Sequence, residues 1–455
     1  MSHDSKRLFG TDGIRARFGE PPLDRVTVTA VAVHLAATLR ERGNGNPPRV
    51  VLGGDTREST PEICRWLAAG LAAGGVELHY AGVIPTPGVA HLVQKLGAAA
   101  GVVVSASHNP YPDNGIKLLD PRGTKWSDED ELALERRLTV GTAAEVPDLP
   151  AGEPRVEEDL REHYLRYLAS TLPGERPLDS LRVVLDTGNG AASGYARELF
   201  ERLGARVTLL HAEPDGRNVN EECGSTAPGE MAARVAAEGA DLGAAFDGDA
   251  DRCILADDQG TVRDGDAILY LWASFLHRSG ALEPPRIVAT SMSNLGLERA
   301  LAAQGIGLVR CNVGDRYVVE AMRREGIVLG GEQSGHIVES QLATTGDGLL
   351  TAVQIAWIRQ REGRPLSELL AGFRRYPQVL LNVKVGRKAD FKTLPAVTAA
   401  ARSVEDRLGA DGRLVLRYSG TEPLARIMIE GPEQGMIDSL AEEIAVAIRG
   451  ELGAG

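Results

Sequence analysis

The chain has 455 residues, of which 43% are hydrophobic and 25% charged, a composition typical of globular proteins. Its formal net charge of −13 argues against sequence-independent nucleic-acid binding, which depends on Lys and Arg meeting phosphates. No run of about 18 apolar residues occurs, and the start MSHDSKRLFG lacks an apolar signal region, so we predict no membrane span and a cytoplasmic protein. The widely spaced cysteines form no C-x-x-C pair, which predicts reduced thiols at Cys64, Cys223, Cys253 and Cys311.

A strand–helix–strand pattern occurs three times along the chain. An apolar run followed by a small polar loop occurs at 49–57, 182–190 and 286–294, and a helix-like segment and a second strand follow each time. Alternation of this kind predicts parallel strands covered by helices. The recurrence favours three related α/β domains with mixed sheets over one large sheet.

The first repeat continues through a predicted helix at 85–97 to the strand GVVVSAS, which ends where SASHNP begins. Ligands bind outside the carboxyl ends of strands in open α/β sheets, so a site is expected at Ser107. After about residue 370 the pattern becomes β-α-β-β-α, which predicts a smaller C-terminal α+β domain. We therefore predict four domains around a central cleft, over residues 1–150, 151–255, 256–370 and 371–455.

The segment ASHNPYPDNGIK, residues 106–117, places Ser107 and His108 after a strand and Lys117 at its end. A serine hydroxyl acts as a nucleophile only when it is activated or meets a strong electrophile. No G-x-S-x-G elbow surrounds Ser107, which disfavours an α/β-hydrolase. Lys117 is a candidate source of positive charge or of a proton.

Three carboxylates follow the apolar run LGAAF, at Asp247, Asp249 and Asp251. In an extended segment this spacing puts them on one side of the chain, and hard oxygen ligands suit Mg²⁺. An EF-hand is excluded because Arg252 stands where that loop needs Gly, and Asp258 where it needs Glu. Arg252 beside a metal site implies a bound anion.

The segment GGEQSGH, residues 330–336, offers Glu332, Ser334 and His336 to sugar hydroxyls, and its glycines allow close backbone approach. Near the start of the chain, Arg15 follows a Gly-containing turn in FGTDGIR and is a candidate phosphate contact.

The segment RYSGTEPLAR, residues 417–426, is a Gly-Thr turn between two predicted strands. Hydroxyls, turn amides and guanidinium groups together form a phosphate cradle. The candidate contacts are Arg417, Ser419, Gly420, Thr421 and Arg426. The lysine and spacing of a Walker loop are absent, so nucleotide hydrolysis is not supported.

Together these motifs, in this order and across nearly the whole chain, resemble the α-D-phosphohexomutase superfamily. The resemblance implies that Ser107 is phosphorylated in the active enzyme and that one Mg²⁺ is bound by the phosphoserine with Asp247, Asp249 and Asp251. It implies catalytic roles for Arg15, His108 and Arg252 around that phosphate, for Lys117 as the acid/base group, and for His336 beside the sugar contacts. Sugar contacts are implied for Glu332 and Ser334, and the segment at 417–426 would hold the substrate's non-reacting phosphate.

Within the superfamily the chain is most similar to the branch that interconverts glucosamine 6-phosphate and glucosamine 1-phosphate, through a sugar 1,6-bisphosphate, for amino-sugar nucleotide and cell-wall precursor synthesis. Glucose or mannose phosphates are the alternative substrates. That branch usually has Gly where this chain has Ala250, and an Ala at positive φ would cost about 1 kcal/mol or more. The expected partner is a small phosphosugar, and the expected assembly a monomer or homodimer.

Two readings of other classes remain. A hydrolase would release the phosphoryl group to water, and a non-catalytic module would only bind a phosphosugar. Ser107, Lys117 and all three carboxylates argue against the binding module.

Overall fold

A computed structural model describes residues 8–10, 12–43, 45–140, 149, 152–419 and 423–453. The described residues form four sheets that follow one another along the chain. Three of these sheets contain both parallel and antiparallel strand pairs, and the fourth is smaller and antiparallel, which confirms the predicted fold class. Within these residues, no helix has the length and apolar character needed to cross a membrane.

The first sheet has the strand order β1-β5-β4-β2-β3. Its strands are β1 (Ile14–Arg17), β2 (Arg49–Gly54), β3 (Glu77–Val83), β4 (Ala100–Val104) and β5 (Asp113–Leu119). Its helices are α1 (Arg25–Arg42), α2 (Thr60–Ala73), α3 (Thr86–Leu96) and α4 (Asp128–Val140). Every residue of β4 is buried, as expected of an apolar run that helices cover on both faces.

The second sheet has the strand order β10-β9-β8-β6-β7. Its strands are β6 (Arg182–Asp186), β7 (Arg206–Leu210), β8 (Leu242–Phe246), β9 (Cys253–Ala256) and β10 (Val262–Arg263). The accompanying helices are α5 (Glu158–Ser170), α6 (Ala196–Arg202) and α7 (Gly229–Glu238).

The third sheet has the strand order β12-β11-β13-β14. Its strands are β11 (Arg286–Thr290), β12 (Gly307–Cys311), β13 (Leu329–Gly331) and β14 (Ile337–Glu339). Its helices are α8 (Gly265–Arg278), α9 (Leu295–Ala302), α10 (Asp315–Glu325), α11 (Gly348–Glu362) and α12 (Leu366–Leu369).

The three predicted strand–helix–strand repeats are present in the structure. They are β2-α2-β3, β6-α6-β7 and β11-α9-β12, and in each the two strands pair in parallel. Each parallel strand therefore ends at the same edge of its sheet as its partner, where the polar loops follow.

The fourth sheet has the antiparallel order β15-β17-β16. Its strands are β15 (Gln378–Lys384), β16 (Arg413–Tyr418) and β17 (Leu424–Glu430), and its helices are α13 (Pro395–Leu408) and α14 (Gln434–Leu452).

The first three sheets share one buried apolar cluster, which includes residues from Val51 to Phe373. The fourth sheet and its helices enclose a separate core. The C-terminal domain meets the third through polar contacts: buried Glu430 accepts hydrogen bonds from Asn294 Nδ2 (2.9 Å) and Leu295 N (3.2 Å). The last domain thus folds around its own core and joins the rest of the chain through hydrogen bonds.

Candidate active site

Ser107 lies in the turn after β4 and has a backbone φ of +53°. Its N–H donates to Ser105 Oγ (2.8 Å), and its side-chain hydroxyl donates to Asp247 Oδ2 (2.6 Å). Non-glycine residues rarely adopt positive φ, and such strain concentrates at functional sites. The structure therefore brings the predicted nucleophile against the predicted metal loop, 140 residues away in sequence.

The three carboxylates of the metal loop are buried, and one oxygen from each lies within 4.8 Å of the others. We assumed an extended segment here from the sequence, and this was wrong: the segment is a tight turn after β8. The Ala250 N–H donates to Asp247 O (3.0 Å), and Ala250 has a φ of +53°. The side chains of Asp247, Asp249 and Asp251 converge because this turn reverses the chain, so the predicted clustering has a different geometric cause.

The electrostatics of this cluster fit a divalent cation. Burial and the neighbouring carboxylates of Asp251 and Asp249 raise the pKa of Asp247 well above its usual range. Asp249 Oδ1 and Asp251 Oδ1 are buried and accept no hydrogen bond from the described residues. Buried acceptors without donors, in a set of hard oxygen ligands, are what Mg²⁺ prefers. Asp247, Asp249 and Asp251 would hold it.

Lys117 lies on β5, almost completely buried, with Nζ 2.7 Å from Asp249 Oδ2 and 3.5 Å from Asp251 Oδ2. Burial opposes its charge, but the carboxylates of Asp12 and Asp249 outweigh this and raise the pKa of Lys117 above its ordinary value. Lys117 therefore carries a proton beside the metal loop.

Arg15, His108 and Arg252 surround the Ser107 turn. Arg15 on β1 donates to Ala106 O (2.9 Å), and Arg252 Nε lies 3.8 Å from Asp251 Oδ1. His108 Nδ1 lies 3.4 Å from Ser107 Oγ. Desolvation and the two guanidinium groups lower the pKa of His108 to about 4, so its imidazole is neutral at pH 7.

The predicted sugar loop joins β13 to β14. Glu332 Oε1 accepts a hydrogen bond from Gly314 N (3.0 Å), and Ser334 Oγ lies 3.3 Å from Glu332 Oε2. His336 is buried, and its Nε2 accepts from Gly346 N (3.2 Å). Desolvation lowers the pKa of Arg252, but the carboxylates of Asp247, Asp251 and Glu332 outweigh it and raise this pKa above its ordinary value.

The predicted phosphate loop lies between β16 and β17, where Arg417 and Arg426 are directly paired across the two strands. Burial and the Arg426 charge lower the pKa of Arg417. Arg426 Nη2 lies 3.5 Å from Ser419 Oγ, and Lys388, which sequence reasoning missed, donates to Ser419 O (2.6 Å). Three cations around one turn favour an anion there. The predicted contacts Gly420 and Thr421 lie outside the described residues.

The Ser107 turn and the metal loop are in direct contact through the hydrogen bond from Ser107 Oγ to Asp247 Oδ2.

A buried ion pair that sequence reasoning missed supports the Ser107 turn. Arg57 Nε donates to Asp55 Oδ2 (2.9 Å), and both side chains are fully buried. The Arg57 guanidinium also donates to four backbone carbonyls, those of Ser107, Asn109, Pro110 and Asp113. The available signal was the position of both residues directly after β2, at the edge where the site forms.

A second missed network links the first and third sheets. Lys125 Nζ lies 2.5 Å from Asp315 Oδ2 and also pairs with Asp12. Asp12 pairs with Arg15 and lies 3.7 Å from Lys117 Nζ, and Asp315 lies 3.6 Å from His336 Nε2. A series of side-chain contacts within 4.0 Å thus connects the sugar loop to the metal loop, through His336, Asp315, Lys125, Asp12 and Lys117 to Asp249.

Four models of one protein family match the chain in consecutive order. Each describes a domain of phosphoglucomutase/phosphomannomutase: α/β/α domain I at residues 6–145, α/β/α domain II at 162–260, α/β/α domain III at 264–376 and the C-terminal domain at 380–447.

Curated relatives match the chain over almost its full length. The phosphoglucosamine mutase of Solibacter usitatus is 47% identical over 449 residues, covering 99% of this chain and 100% of the relative. The phosphoglucosamine mutase of Cereibacter sphaeroides is 45% identical over 448 residues, and the match covers 98% of this chain and 99% of the relative.

Solved structures share the fold. A phosphoglucomutase/phosphomannomutase family protein from Burkholderia thailandensis superposes with a TM-score of 0.80 at 24% identity and covers 98% of each chain. The N-acetylphosphoglucosamine mutase of Aspergillus fumigatus, solved with GlcNAc-6P and magnesium, superposes with a TM-score of 0.65 at 19% identity, covering 98% of this chain and 96% of that one.

Proposed function

The chain belongs to the phosphoglucomutase/phosphomannomutase family, and we propose that it is a phosphoglucosamine mutase, which interconverts glucosamine 6-phosphate and glucosamine 1-phosphate. The observation that carries the reaction class is the Ser107 hydroxyl, 2.6 Å from Asp247 Oδ2 within a cluster of three buried carboxylates. The choice of substrate is supported by curated relatives that bear this name at 41–47% identity.

The active form carries a phosphoryl group on Ser107. Such a group adds about −1.5 to −2 charges and three acceptor oxygens. We assign Arg15 and Arg252 to bind this group; the assignment is supported by the hydrogen bond from Arg15 to Ala106 O in the Ser107 turn and by the ion pair of Arg252 with Asp251 in the metal loop. The carboxylates of Asp247, Asp249 and Asp251 would hold Mg²⁺, which would supply neutralisation of the charge on the transferring phosphoryl group.

The reaction proceeds in two balanced transfers. A free hydroxyl of the sugar monophosphate attacks the phosphorus of phospho-Ser107, the Oγ–P bond breaks, and a sugar bisphosphate and free serine form. The bisphosphate then turns around, and Ser107 Oγ takes the other phosphoryl group. No water or external phosphate is consumed. We assign Lys117, whose protonated Nζ lies 2.7 Å from Asp249 Oδ2, as the acid/base group: it donates a proton to Ser107 Oγ as the Oγ–P bond breaks, and the proton that the sugar hydroxyl releases returns to the amine.

Two further loops position the sugar. Glu332 and Ser334 bind its hydroxyl groups, and the guanidinium groups of Arg417 and Arg426 hold the phosphate that does not react. A second anion site allows the bisphosphate to bind in either orientation, which the return transfer requires. Closure of the cleft between these loops and Ser107 would keep water from the phosphoryl group.

The test compares catalytic efficiency on glucosamine 1-phosphate, glucose 1-phosphate and mannose 1-phosphate, with Ser107-phosphorylated protein and Mg²⁺. We expect preference for the glucosamine compound, and preference for either other sugar would reject the substrate assignment. Free phosphate is measured in parallel, and its release at the rate of substrate loss would instead identify a hydrolase. Chelation should stop turnover and Mg²⁺ restore it.

A further inference from the structure

A second cluster of metal-ligating side chains lies in the second domain, apart from the carboxylates beside Ser107. Asp186 ends β6, His211 follows β7, and Cys223 precedes α7. One ligand atom from each residue lies within 4.8 Å of the other two, and His211 Nδ1 is 3.1 Å from Asp186 Oδ2. We propose that these three residues bind a zinc-class divalent cation, which organises the loop behind Ser107.

The donor types select this class of metal. A thiolate and an imidazole with one carboxylate suit Zn²⁺, whereas Mg²⁺ prefers oxygen ligands and keeps several waters. The two clusters therefore differ in chemistry. The cluster beside Ser107 offers three carboxylate oxygens, one each from Asp247, Asp249 and Asp251. The second site offers one sulfur, one nitrogen and one oxygen.

The environment of His211 is that of a metal ligand. Its Nε2 lies 3.3 Å from Glu230 Oε2, and ligating histidines commonly direct the second ring nitrogen to a carboxylate. With the proton on Nε2, the buried Nδ1 has no hydrogen-bond partner among the described residues. Its lone pair then faces the carboxylate oxygen of Asp186, an arrangement that a cation between them would stabilise.

Cys223 completes the set. The residue is fully buried, and its thiol is not in a disulfide. Burial and the carboxylates of Asp186, Glu221 and Glu230 raise the pKa of the Cys223 thiol to about 12. A bound cation reverses this balance, because it deprotonates a coordinating thiol.

The site lies behind a loop that positions the nucleophile. Asp186 accepts hydrogen bonds from Gly188 N (2.9 Å) and Gly224 N (3.0 Å), and so joins two turns. Between them, Asn220 N donates to Gly188 O (2.9 Å) and Asn220 Nδ2 donates to Ser107 O (2.9 Å). A cation at Asp186 would fix the base of the loop whose tip holds the Ser107 carbonyl.

The experiment adds Co²⁺ to metal-depleted protein in excess Mg²⁺ and records the ultraviolet spectrum. We expect one equivalent to produce a thiolate-to-cobalt charge-transfer band, which the all-oxygen cluster beside Ser107 does not produce. Cys223→Ser should lose the band, and the matched control Cys311→Ser, which alters a half-buried thiol on β12, should keep it.

The wild-type spectrum decides the proposal even if the buried variant does not fold. Absence of the band overturns it, as would a band that survives Cys223→Ser or disappears in Cys311→Ser. Glu230→Gln alters an exposed side chain and should weaken Co²⁺ binding by about tenfold or more; an unchanged affinity would contradict the arrangement.

Discussion

Ser107 and Ala250 have the same backbone φ, +53°, at the tips of two loops that touch. The first is the turn after β4 and the second the turn after β8. Between them, a Cβ added at Gly248 would lie 2.6 Å from the Ser107 carbonyl oxygen. The hydroxyl and the carboxylates meet because both turns adopt left-handed conformations and because residue 248 has no side chain.

Replacing Ala250 with glycine should relieve strain in the metal loop. An L-residue in the left-handed region costs about 1 kcal/mol or more, partly offset by the greater freedom of glycine in the unfolded chain. We expect Ala250→Gly to raise the free energy of unfolding by up to about 1 kcal/mol, measured by urea denaturation, and to retain turnover.

The control is Ala399→Gly, at an exposed position in α13, where glycine should lower the free energy of unfolding by about 1 kcal/mol. An equal decrease in the free energy of unfolding for Ala250→Gly and Ala399→Gly would show that glycine relieves no strain at residue 250.

Removing the charge of Lys125 should destabilise the contact between the first and third domains. Its side chain is only 11% exposed, and its loss removes the cation that pairs with both Asp12 and Asp315 and joins the two domains. Breaking one partner of a buried ion pair costs about 3 kcal/mol or more. We expect that loss for Lys125→Met in urea denaturation, and little change for Lys95→Met at an exposed position of α3.

Glu339, at the end of β14, should make stability depend on pH. Burial raises the pKa of its carboxyl from 4.5 to about 7. The unfolded chain loses this proton near pH 4.5, while the folded protein keeps it to about pH 7. The folded state thus binds more protons across that window, and its stability falls as the pH rises, by about 3 kcal/mol in total.

Glu339→Gln should remove this contribution, so the variant should be more stable than the wild type above pH 7 and similar to it near pH 4.5. Unfolding free energies measured across that range test the sign. Glu405→Gln, at an exposed position of α13, is the control. A Glu339→Gln profile parallel to the wild type would refute the assignment.

Arg417 should contribute mainly to substrate binding if the β16–β17 turn holds the non-reacting phosphate. A charge-assisted hydrogen bond contributes about 1.5–3 kcal/mol, which corresponds to roughly 10–100-fold in kcat/KM. We expect Arg417→Met to show that loss in steady-state kinetics, and Arg402→Met, at an exposed position of α13, to show none. Equal kinetics for Arg417→Met and the wild type would remove Arg417 from the site.

The position of a site residue could be predicted from the sequence where that residue directly follows a strand. Ser107 comes after the apolar run that forms β4, and Asp247 after the run that forms β8, so each could be placed at a sheet edge. The strand–helix–strand repeats were predictable for the same reason. The turn geometry was not, because the positive φ of Ala250 depends on local packing that a residue pattern does not encode.

The supporting residues were beyond sequence reasoning because their roles depend on distant contacts. Arg57 binds backbone carbonyls about 50 residues away, and Lys125 pairs with Asp12 and Asp315 from two other parts of the chain. A charged residue looks the same in sequence whether it is solvated or buried against such a partner. Only the packing of the folded chain distinguishes a solvated residue from a buried one: packing within the first domain for Arg57, and packing of the first domain against the third for Lys125.

The most direct test of the central claim follows the phosphoryl group itself. Protein carrying a radiolabelled phosphate on Ser107 is mixed with unlabelled glucosamine 1-phosphate and Mg²⁺, and the labelled species are separated over time. We predict that label passes from the protein into a sugar bisphosphate and then into sugar monophosphate, and that Ser107→Ala neither accepts nor transfers label. Label that leaves as inorganic phosphate, or stays on the protein while sugar turns over, would contradict the account.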